Sequence, residues 1–258
     1  MADLLFDDEA RARRRARALA RTALPFLAER IVDEWLERLA PVARRFGRAL
    51  VTGCPPALEA RLRGIAGEVR FAPSIDAIAA EAEASLDLLM VMGELDGRDH
   101  LPQLLAIARS RLAPGGMMLG VVPGAQTLPA LRAALHAVGQ ESGAFAARTH
   151  PRIEPGALAT LLGQAGFAEP VVDMDRVRLR YRSLQRLVDD LRDHGATNAL
   201  LARPRAGLTR AGRGLAERAF AAQGEGGVTE ETVELIHFVA WAENAGNSSL
   251  TASQAFGR

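Results

Sequence analysis

The sequence predicts an α/β fold with a mainly parallel central sheet, and three patterns predict it. From about residue 48, short apolar runs closed by turn residues alternate with helical segments, as in sheets built from βα units. Two helical patterns precede this region. Near the end of the core, residues 171–181 carry strand-like runs, the second with apolar and polar residues alternating.

Residues 8–22 are rich in Arg and Ala, both strong helix formers. After Pro25 the residues Phe26, Leu27, Ile31, Val32, Trp35, Leu36 and Leu39 recur at helical spacing. Strands are expected at 49–52, 68–71, 86–92 and 117–122, with helices near 56–66, 75–84, 101–112 and 127–141. Pro114-Gly115-Gly116 reads as the end of the third of these helices and the turn into the next strand. A loop over 143–155 leads to a helix from Gly156 to Ala165 that stops at Gly166. Val171-Val172-Asp173-Met174-Asp175 and Val177-Arg178-Leu179-Arg180-Tyr181 then read as two strands of a terminal antiparallel hairpin. Helices follow at 183–194, where Ser183 is a good N-cap, and at 207–222. Gly224 to Gly227 is a turn, 233–242 is a buried helix or strand, and 248–258 is a frayed tail. The division expected is therefore 1–47 as N-terminal helices, 48–182 as the α/β core and 183–258 as a C-terminal helical region of the same domain.

Composition narrows the chemistry. With 48% hydrophobic and 24% charged residues and a net charge of +1, the chain has no global field that points to nucleic acid or an anionic membrane. All 32 basic residues are arginine. That excludes lysine Schiff bases and a P-loop lysine, and with so much alanine it reads as the product of a GC-rich bacterial genome. One cysteine, Cys54, leaves no internal disulfide, and the histidines His100, His136, His150, His194 and His237 show no i, i+4 ligand pair, so no metal is expected. The acidic start and the absence of a long apolar run point to a cytoplasmic protein without a membrane span. The arginine run from Arg11 to Arg21 reads as a solvated helix face, or alternatively as a face for an acidic partner.

In an open α/β sheet the ligand sits outside the C-terminal ends of the central strands, which draws attention to Thr52-Gly53-Cys54-Pro55-Pro56. Glycine lets a backbone approach a ligand closely, and Gly53 suits that role. Pro55 and Pro56 offer no N–H and suit the start of a helix instead. Cys54, near a helix N-terminus, reads either as a reactive thiol or as a small buried residue.

The order of elements, together with Leu86-Asp87-Leu88-Leu89, Leu112-Ala113-Pro114-Gly115-Gly116-Met117-Met118-Leu119 and Gln164-Ala165-Gly166-Phe167-Ala168-Glu169-Pro170, resembles class I S-adenosylmethionine-dependent methyltransferases. Within that superfamily one branch is similar through Leu4-Leu5-Phe6-Asp7, Pro151-Arg152-Ile153-Glu154-Pro155, Val177-Arg178-Leu179-Arg180-Tyr181-Arg182-Ser183-Leu184 and the stretch from Asp190 to Leu200. It is the branch of the complex I assembly factors of methyltransferase fold and the malonyl-carrier-protein methyltransferases of biotin synthesis. The resemblance spans roughly residues 4–245 and implies a Rossmann-like methyltransferase fold. It also implies S-adenosylmethionine as cofactor, with Thr52, Gly53, Cys54, Asp76, Met92, Gly93 and Glu94 around it.

Three departures set this chain apart. The family loop acid-x-Gly-x-Gly-x-Gly falls on Val51 to Ala57, where Gly53 is the one glycine kept and the acid is absent. The second strand ends in Phe71-Ala72-Pro73-Ser74, with Asp76 the nearest acid to take the ribose hydroxyls. From Gly53 to Asp87 there are 34 positions, whereas each βαβ crossover needs at least about 10 to 12 residues between strands. Three crossovers do not fit easily, so one βα unit is expected to be missing.

Tyr181, the only tyrosine, is the first candidate near a substrate pocket, or else a strand tyrosine that closes the sheet. Asp99-His100 is a candidate base-and-orienter pair. Asp190, Arg192 and Asn198 are expected to organise the C-terminal cap. The functional readings are an S-adenosylmethionine-dependent methyltransferase with a degenerate cofactor loop, an inactive binding or assembly module with a protein partner and weak or lost cofactor affinity, and a protein-arginine hydroxylase-like activity. A dinucleotide dehydrogenase is disfavoured because no G-x-G-x-x-G follows a strand.

Overall fold

The computed structural model describes residues 4–21, 25–143 and 146–242, so the expected tail at 248–258 lies outside the described residues. Helix α1 (Asp8–Leu19) starts where the Asp7 carboxylate accepts the Ala10 N–H at 2.9 Å, with Asp8 and Glu9 favouring the positive end of the helix dipole. Its buried residues are only Ala10 and Ala18. Helix α2 (Phe26–Leu39) instead buries Ala28, Ile31, Val32 and Trp35 at helical spacing and so packs on the sheet.

The core alternates as expected: β1 (Phe46–Thr52), α3 (Pro56–Leu62), β2 (Ala66–Ala72), β3 (Leu86–Met92), α4 (Leu101–Arg111) and β4 (Leu112–Pro123). Pro56 opens α3, where a missing N–H costs nothing. Helices α5 (Pro129–Ser142) and α6 (Pro155–Gln164) follow, then β5 (Phe167–Tyr181), α7 (Leu184–Asp193), α8 (Arg210–Ala221) and β6 (Thr229–Ala242). The sheet order is β2-β1-β3-β4-β6-β5; β1 to β4 run parallel, and β6 runs antiparallel to both β4 and β5. Two apolar layers cover it. Helices α2, α3, α5, α7 and α8 pack on one face, while α4, α6 and the turn after β2 pack on the other. Among the described residues no helix is long and apolar enough to cross a membrane.

Four expectations are corrected. The segment near 75–84 is a short 3₁₀ turn, Ile75–Ala80, capped by Ser74. With only this turn between them, β2 stays at the sheet edge and β3 lies on the other side of β1, as a missing βα unit requires. Pro114-Gly115-Gly116 lies within β4 rather than before it: Leu86 pairs with Leu112 and Leu88 with Met117, so the extra residues bulge out, with Gly115 at φ 73°. Residues 171–181 form no hairpin but belong to the single strand β5, because Arg176 between the two runs cannot reverse the chain. The strand that pairs with β5 is β6, so residues 233–242 are strand and the region after 183 contributes to the middle of the sheet.

Two contacts carry expectations for stability. Gly120 faces Phe238 across β4 and β6, and a Cβ there would overlap that buried ring and stand 3.1 Å from the Val91 carbonyl. Gly120→Ala should destabilise the protein by about 1–3 kcal/mol in chemical denaturation, as overpacking does. The loop before α6 is held by His150, whose Nε2 accepts the Ala199 N–H at 2.7 Å and whose ring meets Phe6 edge-on. Burial, with the cations Arg152 and Arg14 nearby, lowers the His150 pKa from 6.5 to about 4. The native state keeps this histidine neutral while the unfolded chain takes up a proton below 6.5, so its contribution is complete above that pH and is lost as pH falls towards 4. Stability measured across that window should fall with acid, and less steeply in His150→Gln.

Candidate functional site

The C-terminal ends of β1, β2 and β3 meet on one side of the sheet, and their loops are shaped by two left-handed glycines. Gly53 has φ 74° and donates its N–H to the Ala72 carbonyl at 3.0 Å. Gly93 has φ 63° and donates to Val121 at 2.9 Å. These turns leave the carbonyl oxygens of Gly53, Pro73 and Met92 facing a common point.

Arg15 of α1 occupies that point. One terminal nitrogen, Nη2, donates to the Gly53 oxygen at 2.8 Å and to the Met92 oxygen at 2.9 Å, while Nε donates to the Pro73 oxygen at 3.1 Å. Glu94 lies beside it with its side chain 1% exposed; its Oε2 accepts the Ile75 N–H at 2.7 Å, and its Oε1 stands 3.5 Å from Arg15 Nε, an ion-pair distance without a hydrogen bond. Burial lowers the Arg15 pKa and the Glu94 charge raises it in part. A Cβ added to Gly53 would overlap the Arg15 guanidinium. The glycine that suits close approach to a ligand is thus approached by a side chain of the same molecule.

The other expected residues fall as follows. Met92 and Gly93 line the cleft, while Thr52 is fully buried beside β3, with its hydroxyl 3.4 Å from the Met90 oxygen. Cys54 is buried, and desolvation together with the Glu59 charge pushes its pKa up to about 12, so the reactive-thiol reading is corrected. Asp76 turns to Arg98, at 2.6 and 3.1 Å, and to the Ser74 hydroxyl. Asp99 accepts the N–H groups of Leu5 at 2.7 Å and Phe6 at 3.1 Å, which ties down the N-terminal segment, and His100 is exposed. The expected Asp99-His100 pair is therefore corrected to a structural clamp and a surface histidine.

Tyr181 does face the cleft. Beside the Arg15 cradle lies a cavity of ≈ 210 Å³ with apolar walls that include Phe26, Ile31, Leu128, Leu179 and Leu187. Tyr181 and Asp190 line it, and burial, with the hydrogen bond to Asp190, raises the Tyr181 pKa and keeps the phenol protonated. Nδ1 of His194 lies 2.7 Å from the Asp190 carbonyl, and its Nε2 has no hydrogen-bond partner among the described residues. Burial lowers the His194 pKa, so this ring is neutral and offers Nε2 as an acceptor. Arg152 forms a salt bridge with Asp96 at the cavity, with side chains 17% and 10% exposed, and burial raises the Asp96 pKa against the pull of that arginine. Sequence reasoning missed Arg15, His194 and the Asp96–Arg152 pair. The one available signal was that Arg11, Arg15 and Ala18 share a helix face.

No family model matches the chain. Among curated proteins it is 26% identical over 200 residues to the human mitochondrial arginine-hydroxylase NDUFAF5, covering 69% of this chain and 58% of that one. To the zebrafish (Danio rerio) protein of the same name it is 32% identical over 117 residues, covering 45% and 36%. It is also 37% identical over 137 residues to a malonyl-[acyl-carrier protein] O-methyltransferase of Xylella fastidiosa, covering 51% and 43%. The chain spans 58% or less of the length of these relatives. Among solved structures, the YcgJ protein of Bacillus subtilis superposes with a TM-score of 0.52 at 11% identity over 84% of this chain and 99% of that one, a likeness of fold. By sequence the chain is similar to the NDUFAF5 arginine hydroxylases and to the malonyl-[acyl-carrier protein] O-methyltransferases, and it shares its fold with the YcgJ protein.

Proposed function

We propose that this chain is a methyltransferase-fold binding module that does not transfer a methyl group from S-adenosylmethionine, and that its ligand site is the apolar cavity beneath the N-terminal helices. The observation that carries the reading is the Arg15 guanidinium on the Gly53, Pro73 and Met92 carbonyls. The cleft is a poor fit for the cofactor on three further counts. Pro55 and Pro56 bring no N–H groups to a ligand. The carboxylates nearest the ribose position, Asp76 and Glu94, are bonded to Arg98 and to the Ile75 N–H. Cys54 is buried in the core and does not line the cleft. With no net field for nucleic acid or membrane, a protein is the partner class this reading favours, in the cytoplasm.

A second reading, an active enzyme, draws on the relatives. One is named a methyltransferase and the others arginine hydroxylases, and the identity to the Xylella methyltransferase reaches 37% over 137 residues. Calorimetric titration with S-adenosylmethionine and S-adenosylhomocysteine separates the two. No heat and no thermal shift at millimolar ligand are expected. A dissociation constant in the micromolar range, about −8 kcal/mol, would contradict the binding-module reading and favour an enzyme.

A further inference from the structure

Strand β2 is exposed in a way its neighbours are not. Both β1 and β3 bury most of their residues, whereas none of Ala66 to Ala72 is buried. Only a short 3₁₀ turn follows β2, and its outer edge carries no further strand. Ala72 turns its carbonyl inward to the Gly53 N–H, and backbone groups alternate along a strand, so the N–H and C=O of Gly67, Val69 and Phe71 point outward. Among the described residues no backbone group pairs with them. Sheet edges are blunted by proline, by bulges or by charge. Strand β2 has no proline and pairs with β1 without a register shift. Its two charges, Glu68 and Arg70, are of opposite sign and flank Val69 symmetrically.

We propose that two copies of this chain pair through β2, edge to edge and antiparallel, into one continuous sheet. A two-fold contact requires a self-complementary surface, and β2 is one. An axis through Val69, perpendicular to the sheet, sets Val69 opposite its own copy and keeps the faces of the two sheets aligned. Glu68 then lies opposite Arg70 of the second copy, and Arg70 opposite Glu68 of the second copy, so both cross-strand pairs join opposite charges. Phe71 lies opposite Gly67, where the absent side chain leaves room for the ring. This register bonds the outward N–H and C=O groups of Gly67, Val69 and Phe71. It places Glu68 and Arg70 at the non-hydrogen-bonded positions, where side chains stand closest. Within one chain Arg70 reaches Glu81, and Glu68 stands 3.4 Å from Arg48. The side chains of Glu68 and Arg70 nevertheless stay 67% and 46% exposed, so each has room for a second partner. The other edge of the sheet, β5, has no such symmetry: a two-fold centred on Asp175, Arg176 or Val177 sets like charges opposite each other. A contact built on one short strand is small, so the dimer is weak, with a dissociation constant on the order of micromolar. The pairing requires nothing of the cleft and is independent of its ligand.

Sedimentation velocity over a concentration series tests the contact. The wild type should pass from monomer to dimer at micromolar concentration. Val69→Pro removes an outward N–H and leaves the ladder to β1 intact, so it should stay monomeric with an unchanged circular dichroism spectrum. Charge exchange gives the more specific readout. Glu68→Arg and Arg70→Glu should each be monomeric, because like charges then face each other across the axis. The double exchange Glu68→Arg/Arg70→Glu should dimerise again, and the two single variants should form a heterodimer when mixed. A wild type that stays monomeric at hundreds of micromolar would overturn the proposal, whether or not a different polypeptide takes this edge. So would a dimer that survives Val69→Pro, or single variants that ignore each other on mixing. Should Val69→Pro fail to fold, the exposed charge variants decide the matter alone.

Discussion

The arrangement of the whole cleft depends on one largely enclosed guanidinium, that of Arg15, whose side chain is 18% exposed. Taking Arg15 out of water is costly, and the cost is offset only because three carbonyl oxygens and the Glu94 carboxylate receive it together. Each side of the contact needs the other. The strand-end carbonyls and Glu94 gain a donor-bearing cation, and α1, which buries only Ala10 and Ala18, gains an anchor.

Around that contact the polar groups of the cleft point inward. In an open α/β sheet the loops beyond the strand ends are where side chains are free for a ligand. Here Asp76 serves Arg98, Glu94 serves the Ile75 N–H, and Asp99 anchors the backbone of Leu5 and Phe6. The polar groups at the mouth of the sheet are internal partners. Beside it lies the apolar cavity, where the Tyr181 phenol, Asp190 and the His194 Nε2, which has no partner among the described residues, supply polar points.

The sequence revealed the parallel half of the fold more readily than the rest. Strands β1 to β4 could be read because each apolar run is closed by its own turn, at Gly53 and Gly93 above all. The antiparallel half was harder. Residues 233–242 lie between β4 and β5 and are mostly buried, so they show no alternation that distinguishes a strand from a buried helix. The segment 171–181 was divided because its alternating part stood out, though all eleven of its residues pair with β6 and need no such division. In the site, the unusual turn and the cleft position of Tyr181 were legible locally. Arg15 was not, because it sits among arginines in nearly the same local setting. Which of them turns inward is decided by how Asp7, Arg14 and Asp99 dock the N-terminal segment, and that information is spread over residues far apart in the chain.

The central claim is that the Arg15 side chain is buried in the cradle in solution, and arginine side-chain NMR on ¹⁵N-labelled protein tests it most directly. A single Nε–H resonance, assigned by its loss in Arg15→Lys, should exchange with water far more slowly than those of the exposed arginines on the same helix. If the Arg15 Nε–H exchanges as fast as that of Arg13 or Arg17, the guanidinium is in solvent, the cradle is open and the account is wrong.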